Sequence, residues 1–383
     1  MRFEFATARR IVFGPGTARE LVPAAVSLGK RVLLVTGASG RHAAGIVDQL
    51  RSAGLAVAEF HITGEPSVES VMAGVQQARA ENCDLLTGIG GGSVIDTGKA
   101  IAALLANPGD IFDYLEVVGK GGPLTRPAVP YIAVPTTAGA GAEVTRNAVL
   151  AVTERKVKVS LRSPSMLPQL AVVDPELTYG LPPEVTAASG MDALTQLIEP
   201  FLSNASNPMT DAVCQDGIRR AARSLRLAFE SDDHAAREDM SLAALFGGMA
   251  LANARLGAAH GFAGPIGGMF PAPHGAICAR LLPLVMEINL HALQERAPES
   301  PVLSRFAEVA RLLTGEPDAL AEDGIRWVHQ LCVDLRIPPL SVFGVTPSTI
   351  PAIVAPSRKS SSMKGNPIEL TDEELHAILQ RAL

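Results

Sequence analysis

Two stretches of the sequence contain the residue types best suited to chemistry. In GMDALTQLIEP, Asp192 and Gln196 are four residues apart, so on a helix they would share one face. In HGFAGPIGGMFPAPH, His260 and His274 lie among glycine and proline residues. Asp192 on an otherwise apolar helix face would be a buried charge, which is costly unless it is paired or metal-bound. Two imidazoles, one carboxylate and one amide oxygen suit Fe(II) and also Zn(II), so these four side chains predict a metal site.

Composition sets the class of protein that must position these residues. A chain of 383 residues favours two domains, and 47% hydrophobic with 19% charged residues is typical of a soluble globular protein. The net charge of -6 argues against a nucleic-acid partner. The four cysteines are widely scattered, which favours reduced thiols and a cytoplasmic location. No uncharged apolar run reaches the ~18 residues that span a bilayer, so we expect no membrane partner.

The first half of the chain alternates apolar runs with helical stretches, which predicts a mostly parallel sheet with helices on both faces. The predicted strands are 31–37, 55–62, 83–92, 129–137 and 170–177, with a hairpin of 147–153 and 156–161 added to the sheet region, and the predicted helices are 41–53, 67–80 and 93–105.

Helical patterns dominate after residue 180. We therefore predict an α/β dinucleotide-binding domain at 1–180 and an all-α domain at 181–383. Its predicted helices are 186–200, 208–229, 238–258, 275–293, 301–313, 319–335 and 371–382, with a polar surface loop at 357–367.

The segment GIGGGSVIDTGKA follows a predicted strand and opens a predicted helix. Its glycines remove side chains that would keep a phosphate from the backbone N–H groups, and Ser93 is expected to cap the helix. Asp96 and Lys99, one turn apart, would form a surface ion pair or point back toward the ligand. The segment is not the GxGxxG fingerprint of a Rossmann fold, and an ordinary tight turn is the alternative.

A second turn of this kind lies in AVPTTAGAGAEVTRN. Thr136 and Thr137 place hydroxyls immediately after a strand, and Gly139 and Gly141 would permit close approach of a ligand. A flexible connector is the alternative interpretation.

Taken together, these motifs resemble the iron-dependent (group III) alcohol dehydrogenase family, which includes glycerol dehydrogenase, lactaldehyde reductase and maleylacetate reductase. The resemblance spans nearly the whole chain. It is carried, in the family's order, by GGGSVIDTGKA, PTTAGAGAEVT, DPEL, GMDALTQLIE, HGFAGPIGG, PHGAICARLLP and GNP. It implies a dehydroquinate synthase-like fold, with an N-terminal α/β dinucleotide-binding domain, a helical C-terminal domain and an active site in the cleft between them.

The resemblance also implies residue roles. Those at the cofactor are Gly91, Gly92 and Ser93 at the pyrophosphate, Thr136 and Thr137 beside the cofactor, and Asn147 and Lys158 near its nicotinamide and ribose; Asp96 belongs to the same predicted cofactor site. Asp192, His260 and His274 match three of the family's four metal ligands, and Gln196 stands where the fourth ligand is usually His.

Three departures from the family pattern affect the predicted chemistry. Gln196 offers a neutral and poorer donor than imidazole, which predicts weaker metal binding or a site without metal. Gly264 replaces a His that lies near the nicotinamide, so a proton-relay residue is missing. Gly37 stands where NAD-preferring relatives often carry Asp, and Ser39 could hydrogen-bond a phosphate, which favours tolerance of NADP.

The resulting expectation is an NAD(P)-dependent alcohol dehydrogenase or aldehyde reductase. Fe(II), or else Zn(II), would assist hydride transfer to or from a small alcohol or aldehyde. The resemblance also implies a homodimer. Two alternatives stay open: a metal-free reductase of an acidic carbonyl compound, as in maleylacetate reductase, and a non-catalytic nucleotide-binding protein.

Overall fold

The chain folds into two units in the computed structural model, which describes residues 2–383. The α/β unit comprises Ala6–Thr137 and Gly141–Tyr179. The helical unit comprises Gly180–Leu383 together with Ala138–Ala140 and residues 2–5.

The α/β unit is built on a six-stranded parallel sheet. The strands of the unit are β1 (Ile11–Phe13), β2 (Arg31–Gly37), β3 (Ala56–Ile62), β4 (Leu85–Gly90), β5 (Tyr131–Pro135), β6 (Asn147–Val152), β7 (Val157–Arg162) and β8 (Leu170–Val173). The sheet order is β1-β8-β5-β4-β2-β3, with every neighbouring pair parallel. Every residue of β4 and β5 is buried, as expected for strands covered on both faces. The predicted α/β fold class is confirmed.

Four helices accompany the sheet: α1 (Leu21–Leu28), α2 (Ala44–Ser52), α3 (Val68–Ala80) and α4 (Gly92–Ala106). The sequence patterns located α2, α3 and α4 but missed α1 and the three-residue strand β1. The hairpin was expected to join the main sheet. Instead β6 and β7 form a separate two-stranded antiparallel sheet, linked to the residue before α3 by a single bridge between Ser67 and Ala151.

The helical unit contains α5 (Pro183–Leu202), α6 (Pro208–Ser231), α7 (His234–Asn253), α8 (Ala258–Met269), α9 (His274–Arg296), α10 (Val302–Thr314), α11 (Ala321–Asp334), α12 (Ile350–Ser357) and α13 (Asp372–Ala382). One hydrophobic core joins α5, α6, α7, α10 and α11. A second joins α8, α12 and α13. Buried residues of α9 belong to both cores, so α9 ties the two halves of the unit together. The predicted helical C-terminal half is confirmed.

Among the described residues, α9 is the one single helix that passes a test of length and apolar composition for a membrane span, and α7 and α8 pass it together only as a pair bent by 95°. In the most apolar window of α9, 78% is buried inside the structure, and the core helix of a soluble protein passes the same test. Its apolar composition is therefore weak support for a membrane span.

The segment around His260 differs from its prediction. The sequence suggested a continuous helix over 238–258 followed by a segment rich in Gly and Pro, whereas α7 ends at Asn253 and α8 continues through Pro265. Proline within a helix is not peculiar to α8, because α5 contains Pro200 after Glu199 and α9 contains Pro283 after Leu282.

The predicted surface loop at 357–367 is also wrong in part, because its ends are buried. Ser357 is the last residue of α12 and is fully buried. The Asn366 Oδ1 accepts hydrogen bonds from the Ala258 N–H at 3.1 Å and from the Asn289 side chain at 3.0 Å. A Cβ on Gly365 would lie 2.1 Å from the carbonyl oxygen of Leu256. This polar segment therefore packs against the start of α8 and satisfies its first N–H group.

Helices α5 and α9 are in close backbone contact at a glycine. A Cβ on Gly275 would lie 2.2 Å from the carbonyl oxygen of Ala188. Gly275 directly follows His274, and Ala188 lies one turn before Asp192. The missing side chain thus brings the start of α9 against the part of α5 that carries the acidic residue.

Adding a methyl group at this contact tests the packing. Gly275→Ala is expected to lower the free energy of unfolding by about 1–3 kcal/mol, because the backbone of α5 must shift. Gly45→Ala is the control: Gly45 lies on the exposed surface of α2 and a Cβ there meets no atom within 4 Å. Urea unfolding of the two variants and the parent measures the difference, and equal stability of all three would refute the close approach.

Candidate active site

Three of the predicted metal ligands converge within the helical unit. Asp192 lies in α5, His260 in α8, and His274 is the first residue of α9. The Asp192 Oδ1 is 3.4 Å from the His260 Nε2 and 3.7 Å from the His274 Nε2. The side chains of Asp192 and His260 are buried, whereas 38% of the His274 side chain is exposed. The cluster is therefore enclosed except on the side of His274.

The donor atoms of this cluster lack hydrogen-bond partners. Within the described residues, the Asp192 Oδ1, the His260 Nε2 and the Gln196 Oε1 are each buried without one. Buried polar atoms are almost always paired, and a carboxylate is the costliest to leave unpaired. A carboxylate oxygen, an imidazole nitrogen and an amide oxygen are the donors that a divalent cation takes. The residues therefore fit a divalent metal ion.

A second buried carboxylate fixes the orientation of His260. The His260 Nδ1 is 2.7 Å from the Glu199 Oε2, and the Glu199 Oε1 accepts the Ala259 N–H at 2.7 Å. Donation of the Nδ1 proton to Glu199 leaves the Nε2 lone pair directed toward Asp192, as in many metal-bound histidines. Sequence reasoning missed Glu199, although it lies on the helix face of Asp192, seven residues later.

Opposite charges lie close together in this cluster and shift the pKa values of its side chains. Burial opposes ionisation of Asp192, but the charges of His274 and His260 outweigh it and lower the pKa of the carboxyl. Burial likewise opposes protonation of His260, but Cys278 and Glu199 outweigh it and raise the pKa of the imidazole well above its usual value. Without a metal ion, protons on the imidazoles therefore balance the negative charge of the carboxylates. A metal ion must displace these protons, so its affinity for the cluster falls at low pH.

A cysteine that sequence reasoning treated as an ordinary reduced thiol belongs to the same cluster. The Cys278 Sγ is 3.7 Å from the His274 Nε2, one helical turn further along α9. One ligand atom from each of Asp192, His260, His274 and Cys278 lies within 4.8 Å of all the others. The His-x3-Cys spacing was the sequence signal that could have indicated it.

Two of the three departures from the family pattern, Gln196 and Gly264, lie on the helices that carry this cluster. Gln196 follows Asp192 by one turn of α5 and is 2% exposed, so its amide is at the site even though it is a weak donor. Gly264 follows His260 by one turn of α8, and a Cβ there would meet nothing within 4 Å apart from its chain neighbours. Gly264 itself offers no group that could relay a proton.

The glycine-rich turn joins a buried strand to a helix, as predicted. β4 ends at Gly90, Gly91 is the N-cap residue and α4 begins at Gly92. Ser93 was expected to cap this helix; that prediction is wrong, because Ser93 lies inside the first turn and no side chain caps α4. A Cβ on Gly90 would lie 2.4 Å from the Val94 side chain, so helix packing explains one glycine of the consecutive triplet Gly90–Gly92.

The remaining residues of the turn are placed for an anion. Gly91, Gly92 and Ser93 are partly exposed at the N-terminus of a 15-residue helix, where the first N–H groups have no intrahelical acceptor and the dipole favours negative charge. Thr137 lies beside Gly91, since its Oγ1 would be 3.4 Å from a Cβ there. The Thr136 N–H donates to the Gly90 carbonyl at 3.0 Å, which holds the two turns side by side.

Asp96 and Lys99 form an ion pair that is buried rather than on the surface. Lys99 is fully buried, and its Nζ lies 3.0 Å from the Asp96 carboxylate. The other Asp96 oxygen accepts the Val149 N–H at 2.9 Å, so the protein already engages both oxygens. The Lys99 Nζ also donates to the Ala142 carbonyl and the Thr145 hydroxyl, each at 2.8 Å. This network fastens the second turn and the hairpin to α4.

The other predicted cofactor residues are spread along strand ends and the hairpin. Gly37 ends β2, with Ser39 two residues later. Asn147 begins β6, and its carbonyl accepts a hydrogen bond from Lys99. Lys158 lies in β7 with its Nζ 3.2 Å from Glu65.

Comparisons with known proteins agree over the full chain. The family profile described as iron-containing alcohol dehydrogenase matches residues 8–175, and its C-terminal counterpart matches 186–383. The chain is 38% identical over 367 residues to the 1,3-propanediol dehydrogenase of Klebsiella pneumoniae, covering 92% of each chain. It superposes with a TM-score of 0.91 on a solved 1,3-propanediol oxidoreductase, at 36% identity and 100% coverage of both chains.

A third similarity involves a nucleotide complex. The structure is similar to sulfoacetaldehyde reductase from Bifidobacterium kashiwanohense in complex with NAD+, with a TM-score of 0.87 and 29% identity. The match covers 99% of this chain and 98% of that one.

Glu143, in the turn fastened by Lys99, is a buried carboxyl that sequence reasoning did not consider. It is 3% exposed, and burial raises its pKa from 4.5 to about 7, although the charge of Lys99 partly opposes the shift. The folded chain therefore keeps a proton on Glu143 at pH values where the unfolded chain loses it. Its contribution to stability is fully present below pH 4.5 and is lost as the pH rises toward 7.

Glu143→Gln keeps the neutral form at every pH and tests this expectation. The variant should gain stability over the parent as the pH rises, by up to about 3 kcal/mol at slightly alkaline pH. Glu154→Gln, at an exposed position of the hairpin turn, is the matched control and should show no such trend. Denaturant unfolding at about pH 5 and about pH 8 measures the difference. A stability difference that does not change with pH would contradict the buried neutral carboxyl.

Proposed function

The chain belongs to the iron-containing alcohol dehydrogenase family and is an oxidoreductase of CH–OH groups; from this premise we propose that Asp192, His260 and His274 bind a divalent metal ion that assists its reaction. The proposed reaction is hydride transfer between a nicotinamide cofactor and a small alcohol or aldehyde. The observation that carries the metal is the group of unpartnered, buried donor atoms at Asp192, His260 and Gln196.

Each residue of the cluster has a distinct part in this proposal. A divalent ion supplies Lewis acidity toward the oxygen of the alcohol or aldehyde when it is bound. Asp192 supplies the negative charge that holds a cation in a buried site, and Glu199 keeps the His260 Nδ1 protonated so that Nε2 is the donor. His274 is the ligand with an exposed side, which favours approach of the substrate there.

Proton transfer follows a different route from that of relatives with a His at position 264. Gly264 can neither accept nor donate a proton, so we propose that the alcohol proton leaves through water or a ribose hydroxyl of the cofactor. This accords with the open space around Gly264.

We assign the cofactor to the turns of the α/β unit. Gly91, Gly92 and Ser93 would bind the pyrophosphate through backbone N–H groups, and Thr136 and Thr137 would contact it with hydroxyls. The NAD+ in the related sulfoacetaldehyde reductase supports a nicotinamide cofactor of this type. The TGASG loop after β2 has no acidic residue to repel a 2′-phosphate, which favours use of NADP as well as NAD.

We propose a short alcohol or aldehyde with a second polar group as the substrate. The 1,3-propanediol dehydrogenase and sulfoacetaldehyde reductase names among the relatives favour a short alcohol or aldehyde that carries a second polar group.

Removal and return of the metal tests the central proposal. Chelator treatment is expected to lower NAD(P)H-linked turnover of a panel of short aldehydes and diols at least ~100-fold, and Fe(II) or Zn(II) should restore it. Asp192→Asn should lose both metal and turnover while still binding NAD(P)H. His329→Ala is the control, since His329 is a half-exposed residue of α11.

Two outcomes would replace the proposal. Turnover of acidic carbonyl compounds that is insensitive to chelator would indicate a metal-free reductase. Tight NADPH binding without turnover of any substrate in the panel would indicate a nucleotide-binding protein without catalysis.

The dinucleotide preference is tested at the end of β2. A side chain fits at Gly37, because a Cβ there has only the Val94 side chain nearby, at an ordinary contact distance of 3.7 Å. Gly37→Asp should raise the ratio of kcat/KM for NAD over NADP at least ~10-fold, because the carboxylate binds ribose hydroxyls and repels a 2′-phosphate. Gly37→Asn, of similar size without the charge, is the matched control. An unchanged ratio in Gly37→Asp would indicate that the ribose 2′-position of the cofactor lies away from residue 37.

A further inference from the structure

We propose that the thiolate of Cys278 is a ligand of the metal ion, so that four protein groups coordinate it: Asp192, His260, His274 and Cys278. The inference rests on the metal site of the proposed function and adds a sulfur donor that the family pattern does not contain. It also predicts that the sulfur widens the preference of the site for zinc over iron.

The distances between donor atoms suit four ligands of one ion, and a substrate oxygen would enter as a fifth on the exposed side of His274. Metal–nitrogen and metal–oxygen bonds of about 2.0–2.2 Å and metal–sulfur bonds of about 2.3 Å place neighbouring donors of a tetrahedron about 3.3–3.6 Å apart. The observed separations are 3.4 Å for Asp192 to His260, 3.7 Å for Asp192 to His274 and 3.7 Å for His274 to Cys278. All four donors lie within 4.8 Å of one another, so small side-chain movements close the remaining gaps.

The backbone places the sulfur without strain. His274 and Cys278 are four residues apart on α9, which puts both side chains on one face of the helix. Asp192 and His260 approach from α5 and α8, so the four donors come from three helices of one unit. The sulfur therefore belongs to the same rigid framework as the two imidazoles.

The thiolate compensates for the weak donor at position 196. Gln196 contributes a neutral amide oxygen where an imidazole usually stands. Among the donor atoms themselves, Asp192 supplies one negative charge and a thiolate adds a second in direct contact with the ion, whereas the Glu199 carboxylate lies behind the His260 ring. A charged sulfur donor binds a divalent ion more strongly than a neutral amide oxygen, so it offsets the weak donor at Gln196.

The other cysteines show what a purely structural thiol looks like in this chain. Burial raises the pKa of Cys332 to about 12 and that of Cys83 to about 11. The Cys332 thiol donates to the Ala279 carbonyl at 3.3 Å. Cys278 instead faces an imidazole nitrogen in a cluster with unpartnered buried donors. The unpartnered donor atoms of Asp192, Gln196 and His260 are a second, independent indication that a ligand binds beside Cys278.

A sulfur ligand strengthens the preference of the site for zinc. Thiolates are soft donors that favour zinc, and four-coordinate sites with nitrogen and sulfur donors are typical of zinc proteins. A site of carboxylate and imidazole ligands alone already binds zinc more tightly than Fe(II), so the sulfur is expected to widen that preference. In competition between Fe(II) and Zn(II) under anaerobic conditions, the preference for zinc is therefore expected to be larger in the parent than in Cys278→Ser.

X-ray absorption of the zinc-loaded full-length protein tests the inference directly. The parent is expected to show one sulfur at about 2.3 Å from zinc besides the nitrogen and oxygen ligands. Cys278→Ser should lose the sulfur shell and bind zinc at least ~10-fold more weakly, whereas Cys332→Ser, a matched buried cysteine in the same unit, should keep both. The cobalt-loaded parent should also show sulfur-to-cobalt charge-transfer absorption that disappears only in Cys278→Ser.

The outcomes separate this inference from the proposed function. Stoichiometric zinc with nitrogen and oxygen ligands only would overturn the role of Cys278 and leave the metal site intact. Failure of the parent to bind any divalent ion would overturn both. The parent measurement needs no variant, so the test holds even if Cys278→Ser does not fold.

Discussion

The main physical constraint on the helical unit is the cost of burying the Asp192 carboxylate without a counter-charge. Asp192 lies in the middle of the 20-residue helix α5, against a hydrophobic core, and one of its oxygens has no hydrogen-bond partner within the described residues. Two imidazoles from other helices face this oxygen. A buried charge of this kind persists only with a counter-charge, which protonated imidazoles supply without a metal ion and which the proposed cation would supply when bound.

The surrounding packing maintains that arrangement. Gly275 allows α9 to approach the α5 backbone, and Asn366 satisfies the first N–H group of α8. Glu199 then fixes the ring of His260. Residues outside the donor set thus determine where the donor atoms lie.

The sequence predicted the α/β sheet well because continuous apolar runs bounded by glycine mark buried parallel strands, as in 31–37 for β2. It missed β1, which is only three residues long, and α8, whose Gly and Pro content conceals a helix. The convergence of Asp192, His260 and His274 was predictable from residue type and resemblance. The parts played by Glu199 and Cys278 were not, since they depend on which helix faces meet in three dimensions.

The two glycine-rich turns to which we assign the cofactor also have packing roles. Glycines that sequence reasoning assigned to phosphate approach serve partly in packing, as Gly90 does against Val94, and Asp96 is engaged by the hairpin and Lys99. The part of these turns that is still available to an anion is the partly exposed start of α4, with Thr136 and Thr137 beside it. A glycine-rich motif therefore combines binding and packing roles that spacing alone does not separate.

Anomalous X-ray diffraction from crystals of the protein grown with zinc tests the central claim most directly. A single ion is expected about 2.0–2.2 Å from donor atoms of Asp192, His260 and His274. Ordered crystals that contain zinc but show no anomalous peak among these three side chains would contradict the account.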